Sequence, residues 1–504
     1  MPQDLYLAID IGTGSARAAL VDFSGRIRAI AAQEYDQIVP QYGWSEQRPL
    51  DWWSGVVLAI RALLSKESDA GSRIAAICAC GQMHGTTLLD GNGNLTRSTV
   101  PLWNDKRTAA LVRAFEAAHM PADYLAESAN PPTPAWPGFK LQWLRDHDRA
   151  AYEAATAVVM PKDYVNFRLT GEIAMDRTEA ACSFLMNPAD GNWSPHMCDM
   201  LGLDIRKLVT IRKPTDILGA VNRPAAGETG LPEGIPVLVG GGDFPVALLG
   251  SGVSRAGLCS DVTGTSSIIT LVSETPLLDP EISNIGTVEG GWGGFVLLES
   301  GGDSMRWARR AFHEKTLSYE EIVSKAALAP AGADRLFFLP YLTGERFGRH
   351  RNSRAQFFGI SAEHGLPHLH RAVMEGVAFA VTRQMHIMEQ AAGRKIERVI
   401  ASGGGAKTPL WLKIKASAYN IPILVPQEAE CGVVGCAAIA ATATGRFSRT
   451  EDAAAALVHY TGEVYPDPIW AETYARMQLV FNKIYQHSQS LYDDLDRLDV
   501  ERPR

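Results

Sequence analysis

Asp10-Ile11-Gly12-Thr13-Gly14-Ser15-Ala16-Arg17 separates two apolar runs, Leu5 to Ile11 and Ala16 to Val21, and its reading decides the fold. Each run has the length of a strand, and only glycines and hydroxyl residues lie between them. The stretch is therefore read as a β-hairpin with its tip at Gly12-Thr13-Gly14-Ser15. A third strand is expected after the Ser24-Gly25 turn. The tip offers backbone N–H groups, the hydroxyls of Thr13 and Ser15 and the guanidinium of Arg17, a set suited to a phosphate chain. Asp10, at the strand end, suits a magnesium ion held through water. No Gly stands at position 17 and no Gly-Lys-Ser/Thr follows, so neither the dinucleotide fingerprint nor the P-loop describes the stretch.

The same grammar returns near mid-chain. Asp261-Val262-Thr263-Gly264-Thr265-Ser266-Ser267 again runs into a β-branched strand, Ile268 to Val272. Two Gly-Thr hairpins, one opening each half, imply two related lobes facing one nucleotide from both sides. Two further stretches look like echoes of one another, each a short strand ending in three glycines: Val237 to Asp243, and Val399 to Gly405 with a helix expected from Pro409. The second would let a purine and ribose pass close to backbone. The first ends in Asp243, placed at an expected strand tip where a catalytic base would stand, although a Gly-Asp tip is also what an ordinary turn looks like.

Between the first hairpin and Asp243 lie the segments assigned to a second substrate. Asp51 to Lys66 is expected to be a helix with Trp53, Val57, Ile60 and Leu64 facing the core. Ile74 to Cys80 reads as a strand ending in Gly81-Gln82-Met83-His84-Gly85, where an amide, a thioether and an imidazole could meet a hydroxylated carbon skeleton. Leu102-Trp103-Asn104-Asp105 leads into a helix expected from Lys106, for which Asn104 or Asp105 is equally readable as the N-cap.

Bulk properties narrow the class. A chain of 504 residues is expected to form two large domains. Its formal charge of -8, without a basic run, argues against nucleic acid as a partner. Seven cysteines without a CxxC pair argue for reduced thiols. The start, MPQDLYLAID, lacks a basic leader and the apolar stretches are too short to span a bilayer, so no membrane partner and a cytoplasmic location are expected.

With these motifs in view, the chain resembles the FGGY carbohydrate kinases from Asp10 to about Phe447, and among them the xylulokinases. DIGTGSAR at 10–17, PGFKLQWLRDH at 137–147 with Lys140 and Trp143, and AQFFGI at 355–360 with HLHRAVME at 368–375 resemble family signatures. GWSEQ, GQMHG, LWND, PKDY, LTGE, FLPYLTGER and GGGAK add local matches.

The resemblance implies a two-lobed actin-like ATPase fold, ribonuclease-H-like and duplicated, with an interlobe cleft. Its expected divisions are 1–250 for sugar and phosphate, 251–450 for nucleotide, and 451–504 as a helical extension packed on a lobe. ATP and Mg2+ are the implied cofactors and a small-molecule sugar the implied partner; oligomeric state stays open, a homodimer being one option. Asp243 falls on the base, and Gln82, Met83, His84, Trp103, Asp105 and Asp243 on the acceptor side. Gly12, Thr13, Ser15, Arg17, Gly264, Thr265, Ser266, Gly404, Gly405 and Ala406 fall on the nucleotide, and Asp10 and Asp243 on the metal. The implied reaction takes D-xylulose to D-xylulose 5-phosphate, with ATPase activity stimulated by sugar and a base that needs no unusual pKa.

Four stretches depart from the family pattern: Phe244-Pro245 where Asn-Ala is expected, Phe347-Gly348-Arg349 after GER, Pro134-Ala135-Trp136 before the first signature, and the charged Glu299 to Asp303. They leave another ketose or a polyol, ribulose among them, open as acceptor, with a non-catalytic sugar- and nucleotide-binding regulator as the remoter alternative. In the tail, Tyr465, Tyr474, Leu479, Phe481 and Tyr485 are expected to pack on a lobe and the charged end from Asp493 to fray.

Overall fold

The computed structural model describes residues 3–313, 315–345 and 351–498, so Phe347-Gly348-Arg349 and the last six residues of the charged tail lie outside the described residues. Leu5–Ile11 and Ser15–Asp22 form the expected hairpin, pairing Asp10 with Arg17 and Ile11 with Ala16, and Ile27–Glu34 adds the third antiparallel strand. Ile74–Gly81 then runs parallel to Leu5–Ile11, Pro236–Leu238 parallel to Ile74–Gly81, and Ile217–Ala220 closes the sheet antiparallel.

The second half repeats this order. Leu258–Thr263, Ser267–Ser273 and Trp292–Leu298 are antiparallel; Arg398–Ser402 and Ile423–Pro426 are parallel; Tyr460–Val464 closes the sheet. The extra strand Ser283–Gly286 lies outside the repeat. Two sheets of one topology make the molecule a duplicated, actin-like, ribonuclease-H-like fold.

The topology re-pairs the glycine echoes. Cys80 and Gly81 lie opposite Asp10 and Ile11, as Ala401 and Ser402 lie opposite Asp261 and Val262. The triple glycine after Ser402 is therefore the counterpart of GQMHG, not of Val237 to Asp243 as expected. Glycine occurs at both tips because backbone must come close there, and sequence carries no sheet order that would say which strand is which.

The counterpart of the segment leading into Asp243 is Ile423–Pro426, and each of these strands is followed by a helix: Asp243–Gly250 in one half and Cys431–Ala443 in the other. The two helices cross at reciprocal glycines. A Cβ on Gly250 would overlap the Cys431 carbonyl oxygen, and one on Gly435 the Val246 carbonyl oxygen. Helix Cys431–Ala443 shares a core with Tyr6, Ala8, Cys78 and Cys80 of the first sheet, whereas Leu248 shares one with Leu258, Val272 and Ile400 of the second. The second half thus buries a helix against the first half's sheet, and the crossing of the two helices fixes the floor of the cleft.

Some expectations need correction. Helix Pro49–Lys66 buries Trp52, Trp53, Val56, Ala59, Ile60 and Leu63, while Val57 and Leu64 are only partly buried, because two aromatic residues widen the buried arc. The helix expected from Lys106 begins at Ala109, with Thr108 at its N-cap. Tail residues Tyr460–Val464 are an integral strand of the second sheet. Tyr474, Phe481 and Tyr485 are buried against Leu366–Ala392, but Tyr465 and Leu479 are exposed. The final helix persists through Arg497, where Asp496 pairs with Arg354.

Candidate active site

Asp243 stands just past a strand end, as expected, but that strand is interrupted and the residue is also the first of a helix. Gly240, at φ 69°, makes a bulge that no side chain fits, since a Cβ there would overlap the Ala79 carbonyl. Gly241–Gly242 then re-pairs with Cys80 and Gly81, and Asp243 opens the helix behind them. Pro245 sits in the first helical turn, where its missing N–H leaves no helix bond unmade. The Phe244 N–H donates to Asp243 Oδ1 at 2.7 Å. Burial, reinforced by the Asp10 carboxylate, nevertheless pushes the Asp243 carboxyl up to about 7. Burial likewise raises Asp10, reinforced by Glu430 and opposed by Arg17. A carboxyl raised in this way is matched to proton transfer near neutrality, although the reaction implied by the resemblance does not require it.

The acceptor turn lies alongside. Met83 packs so closely on Gly242 that a Cβ there would approach its sulfur to 2.9 Å. His84 takes a left-handed backbone, φ 68°, and its ring stands edge-on to Trp136 at 5.1 Å. Burial, with Lys140 nearby, holds the His84 imidazole well below its ordinary pKa, so it is neutral. Its Nδ1 is buried without a protein partner. Trp103, 43% exposed, donates from Nε1 to Thr13 Oγ1 at 3.0 Å and so ties the acceptor side to the first hairpin.

Two expected acceptor residues have other duties. Gln82 is buried and donates to Gln47 Oε1 at 2.7 Å, while Gln47 donates to the Thr13 carbonyl at 2.6 Å. Gln82 therefore braces the hairpin from beneath. Asp105 is buried and accepts from the Ser45 N–H at 2.7 Å and from Arg107 Nε and Nη2, both at 2.8 Å. Its oxygens are taken by a buried ion pair rather than presented to the cleft.

The two hairpins are not equivalent. Arg17 reaches Asp10 at 3.5 Å and Glu430, across the halves, at 3.2 Å. In the second hairpin Asp261 lies opposite Ile269 and is clamped by Lys415 at 2.8 Å and Tyr419 at 2.9 Å. The duplicated aspartate is thus paired and structural, whereas Asp10 keeps its carboxylate beside the Arg17 guanidinium at the mouth of the first hairpin. Gly264 and Thr265 accept from the backbone of Gly302 and Asp303 at 3.0 and 2.9 Å, and Arg306, unremarked in the sequence, donates to Thr265 Oγ1 at 3.2 Å. Asp303, the charge that departs from pattern, pairs with Arg306 at 3.2 Å. Ser266 accepts at its carbonyl from the Gly264 N–H at 2.9 Å. Gly405 abuts Thr263, whereas Gly404 faces open space, and with Ala406 they form the short turn Gly404–Lys407.

Beneath these turns lies a polar scaffold that sequence reasoning passed over. Asp176 caps the short helix Arg177–Ala181 and pairs with Lys162 at 2.9 Å. Thr178 Oγ1 accepts from the Gly242 N–H at 2.9 Å, and Glu179 Oε2 from the His84 N–H at 3.4 Å. Lys140 donates to the His84 carbonyl at 2.8 Å and Lys162 to that of Val239 at 3.0 Å. Burial pulls Lys140 down to about 7. Burial also lifts Glu179 well above the carboxylate range, helped by Asp176 and Asp163. PKDY and PGFK were visible as motifs, but nothing in their spacing tells that the lysines point inward.

Among the described residues no cluster of three or more His, Cys, Asp or Glu is arranged to hold a metal, and no helix is long and apolar enough to cross a membrane. Residues 5–250 match the N-terminal domain of the FGGY family of carbohydrate kinases, and residues 260–444 its C-terminal domain. The chain is 29% identical over 495 residues to the xylulose kinase of Bacillus subtilis (strain 168), covering 96% of this chain and 97% of that one. It is 31% identical over 417 residues to the xylulose kinase of Escherichia coli (strain K12), covering 82% and 84%. Superposed on the crystal structure of xylulose kinase from Rhodospirillum rubrum, it gives a TM-score of 0.91 at 28% identity, covering 97% and 100%.

Proposed function

Since the chain belongs to the FGGY family of carbohydrate kinases, phosphotransferases with an alcohol group as acceptor, we propose that it transfers the γ-phosphoryl group of ATP to the primary hydroxyl of D-xylulose, giving D-xylulose 5-phosphate. The observation that carries this reading is the carboxyl of Asp243, opening a helix directly after Gly242, the glycine on which Met83 of the acceptor turn packs, with His84 the next residue of that turn. Asp243 takes the proton of the acceptor hydroxyl as its oxygen attacks phosphorus in line, an effect worth roughly 10²- to 10⁴-fold. Neutral His84 and Met83 hold the carbon skeleton, and Trp103 covers its edge. Arg17, Thr13, Ser15 and the Gly12 backbone meet the phosphates from one side and Gly264, Thr265 and Ser266 from the other. Gly404, Gly405 and Ala406 lie against the adenosine.

A magnesium ion fits this site. Asp10 and Asp243 are hard oxygen donors, the Asp10 carboxylate near enough to raise Asp243, and two carboxylates plus substrate phosphates are what this ion ordinarily accepts. When bound, it supplies charge neutralisation at the β- and γ-phosphates.

Phe244 favours a second reading of the acceptor. Its ring stands edge-on to Phe295 of the second sheet at 6.3 Å, one residue from the base, so an apolar wall spans the two halves beside the reacting hydroxyl. Such a wall would suit a ketose or polyol with fewer polar groups on that edge. Release of ADP measured over a panel of ketoses, aldoses and polyols decides between them. Highest kcat/KM on D-xylulose is expected, and preference for another acceptor would move the assignment to that sugar.

A further inference from the structure

The short helix Arg177–Ala181 touches both functional turns through adjacent side chains. Thr178 Oγ1 accepts the N–H of Gly242, the residue before Asp243, at 2.9 Å. Glu179 Oε2 accepts the N–H of His84 at 3.4 Å, and Lys140 takes the carbonyl of the same residue at 2.8 Å. Thr178, Glu179 and Lys140 are all buried. The helix is itself anchored, because Asp176 Oδ1 accepts from the Thr178 and Glu179 N–H groups at 2.7 and 3.2 Å and Asp176 pairs with Lys162. Lys162 also holds the Val239 carbonyl at 3.0 Å, joined there by Asn166 at 2.9 Å, and Asn166 reaches the Leu238 carbonyl at 3.3 Å, so the strand leading to the base is gripped at two points.

This arrangement does more than pack. His84 holds φ 68°, a conformation that a residue with a side chain keeps only when its surroundings over-determine it. Here both backbone polar groups of His84 are seized by buried side chains from two different helices, Pro137–His147 and Arg177–Ala181. Glu179 Oε1 is left buried and unpaired, an expense that an apolar residue would avoid and that marks a role beyond stability. The base-bearing turn and the acceptor turn come from different strands, and each carries one of the two groups that must meet the same hydroxyl.

We propose that Thr178 and Glu179, assisted by Lys140, are positioning residues: one rigid helical turn sets the placement of Asp243 relative to His84. Thr178 acts through Gly242 on the base, and Glu179 and Lys140 act through the His84 backbone on the acceptor. The inference rests on Asp243 as base and His84 as acceptor contact. A drift of the base by about 1 Å lowers turnover on the order of 10²-fold, which sets the size of the effect.

The test uses the full chain with Thr178→Val and Thr178→Ser, and with Glu179→Leu and Glu179→Gln. Amide hydrogen exchange read by mass spectrometry, without any ligand, should show faster exchange across 239–244 in Thr178→Val and across 81–85 in Glu179→Leu, each leaving the other segment at the wild-type rate. In ADP-release assays Thr178→Val should lose kcat by about 10²-fold and Thr178→Ser should recover it. Glu179→Leu should instead raise the acceptor KM, with recovery in Glu179→Gln, and calorimetric affinity for ADP should be unchanged throughout. Should Thr178→Val not fold, Thr178→Ala reads the same question at 239–244, and Lys140→Gln stands in for Glu179→Leu at 81–85. Uniformly faster exchange in both segments, or Val and Leu variants that match wild type, would overturn the proposal. A wild-type protein idle on every sugar would refute the acceptor reading instead, while the exchange data would still judge the placement of the two turns.

Discussion

Replacing Asp243 by Asn should make this protein more stable and nearly inactive at the same pH. The carboxyl rises from an ordinary 3.8 in the unfolded chain to about 7 in the folded one, chiefly through burial and secondly through Asp10. The folded state therefore binds this proton more tightly than the unfolded state. Its contribution is fully present below pH 3.8 and is lost as pH climbs through about 7. Taken whole, the difference is ~4 kcal/mol at 1.36 kcal/mol per pH unit. Because Asp243 retains partial exposure, roughly half of that, ~2 kcal/mol, is the expected gain for Asp243→Asn above pH 7. For lobes of this size such a gain raises Tm by about 4–8 °C. Scanning calorimetry of wild type and variant from pH 5 to 8.5, without nucleotide or magnesium, reads it directly. The Tm difference should grow with pH and level off above 7, while kcat falls by about 10²- to 10⁴-fold. A Tm difference that is flat with pH, or a variant less stable than wild type at pH 8, would refute the argument.

Three further outcomes follow from the geometry. Asp105→Ala removes one of the two carboxylates on the buried Arg107 guanidinium, leaving Glu46 at 2.6 Å, and should cost about 1–3 kcal/mol in urea unfolding, whereas a pure acceptor contact would leave stability unchanged. Gly250→Ala drives a methyl into the Cys431 carbonyl at the helix crossing, so loss of about 1–3 kcal/mol and of turnover together is expected, and normal Tm with normal activity would count against the crossing as the floor of the cleft. Phe244→Asn removes the apolar wall beside Asp243 and should shift the ratio of kcat/KM between polar and less polar acceptors by roughly 10-fold or more without altering the KM for ATP; an unchanged ratio would show that Phe244 does not face the acceptor.

The chemistry-bearing tips were legible where a local pattern dictates local structure. Gly12 to Ser15 must turn because glycine and hydroxyl residues interrupt two apolar runs, and the pairing of Asp10 with Arg17 follows from that turn. The structural contacts of Gln82 and Asp105 were not legible because their partners are remote: Gln47 lies 35 residues from Gln82, and Ser45 lies 60 residues from Asp105. Thr178 and Glu179 gave no signal, since a capped helical turn looks the same whether it faces solvent or underpins a site.

The sequence by itself determined the first hairpin, its echo in the second half and the family, because each rests on contacts between residues a few positions apart or on motifs preserved as strings. Tertiary structure alone decided which glycine tip answers which, that Asp261 is clamped by the buried Lys415 while Asp10 meets the partly exposed Arg17, and that helices of the two halves cross at Gly250 and Gly435. It also decided the pKa of Asp243, pushed up to about 7. Burial and the approach of a second carboxylate set that value, and both depend on strands and helices from distant parts of the chain being folded against one another.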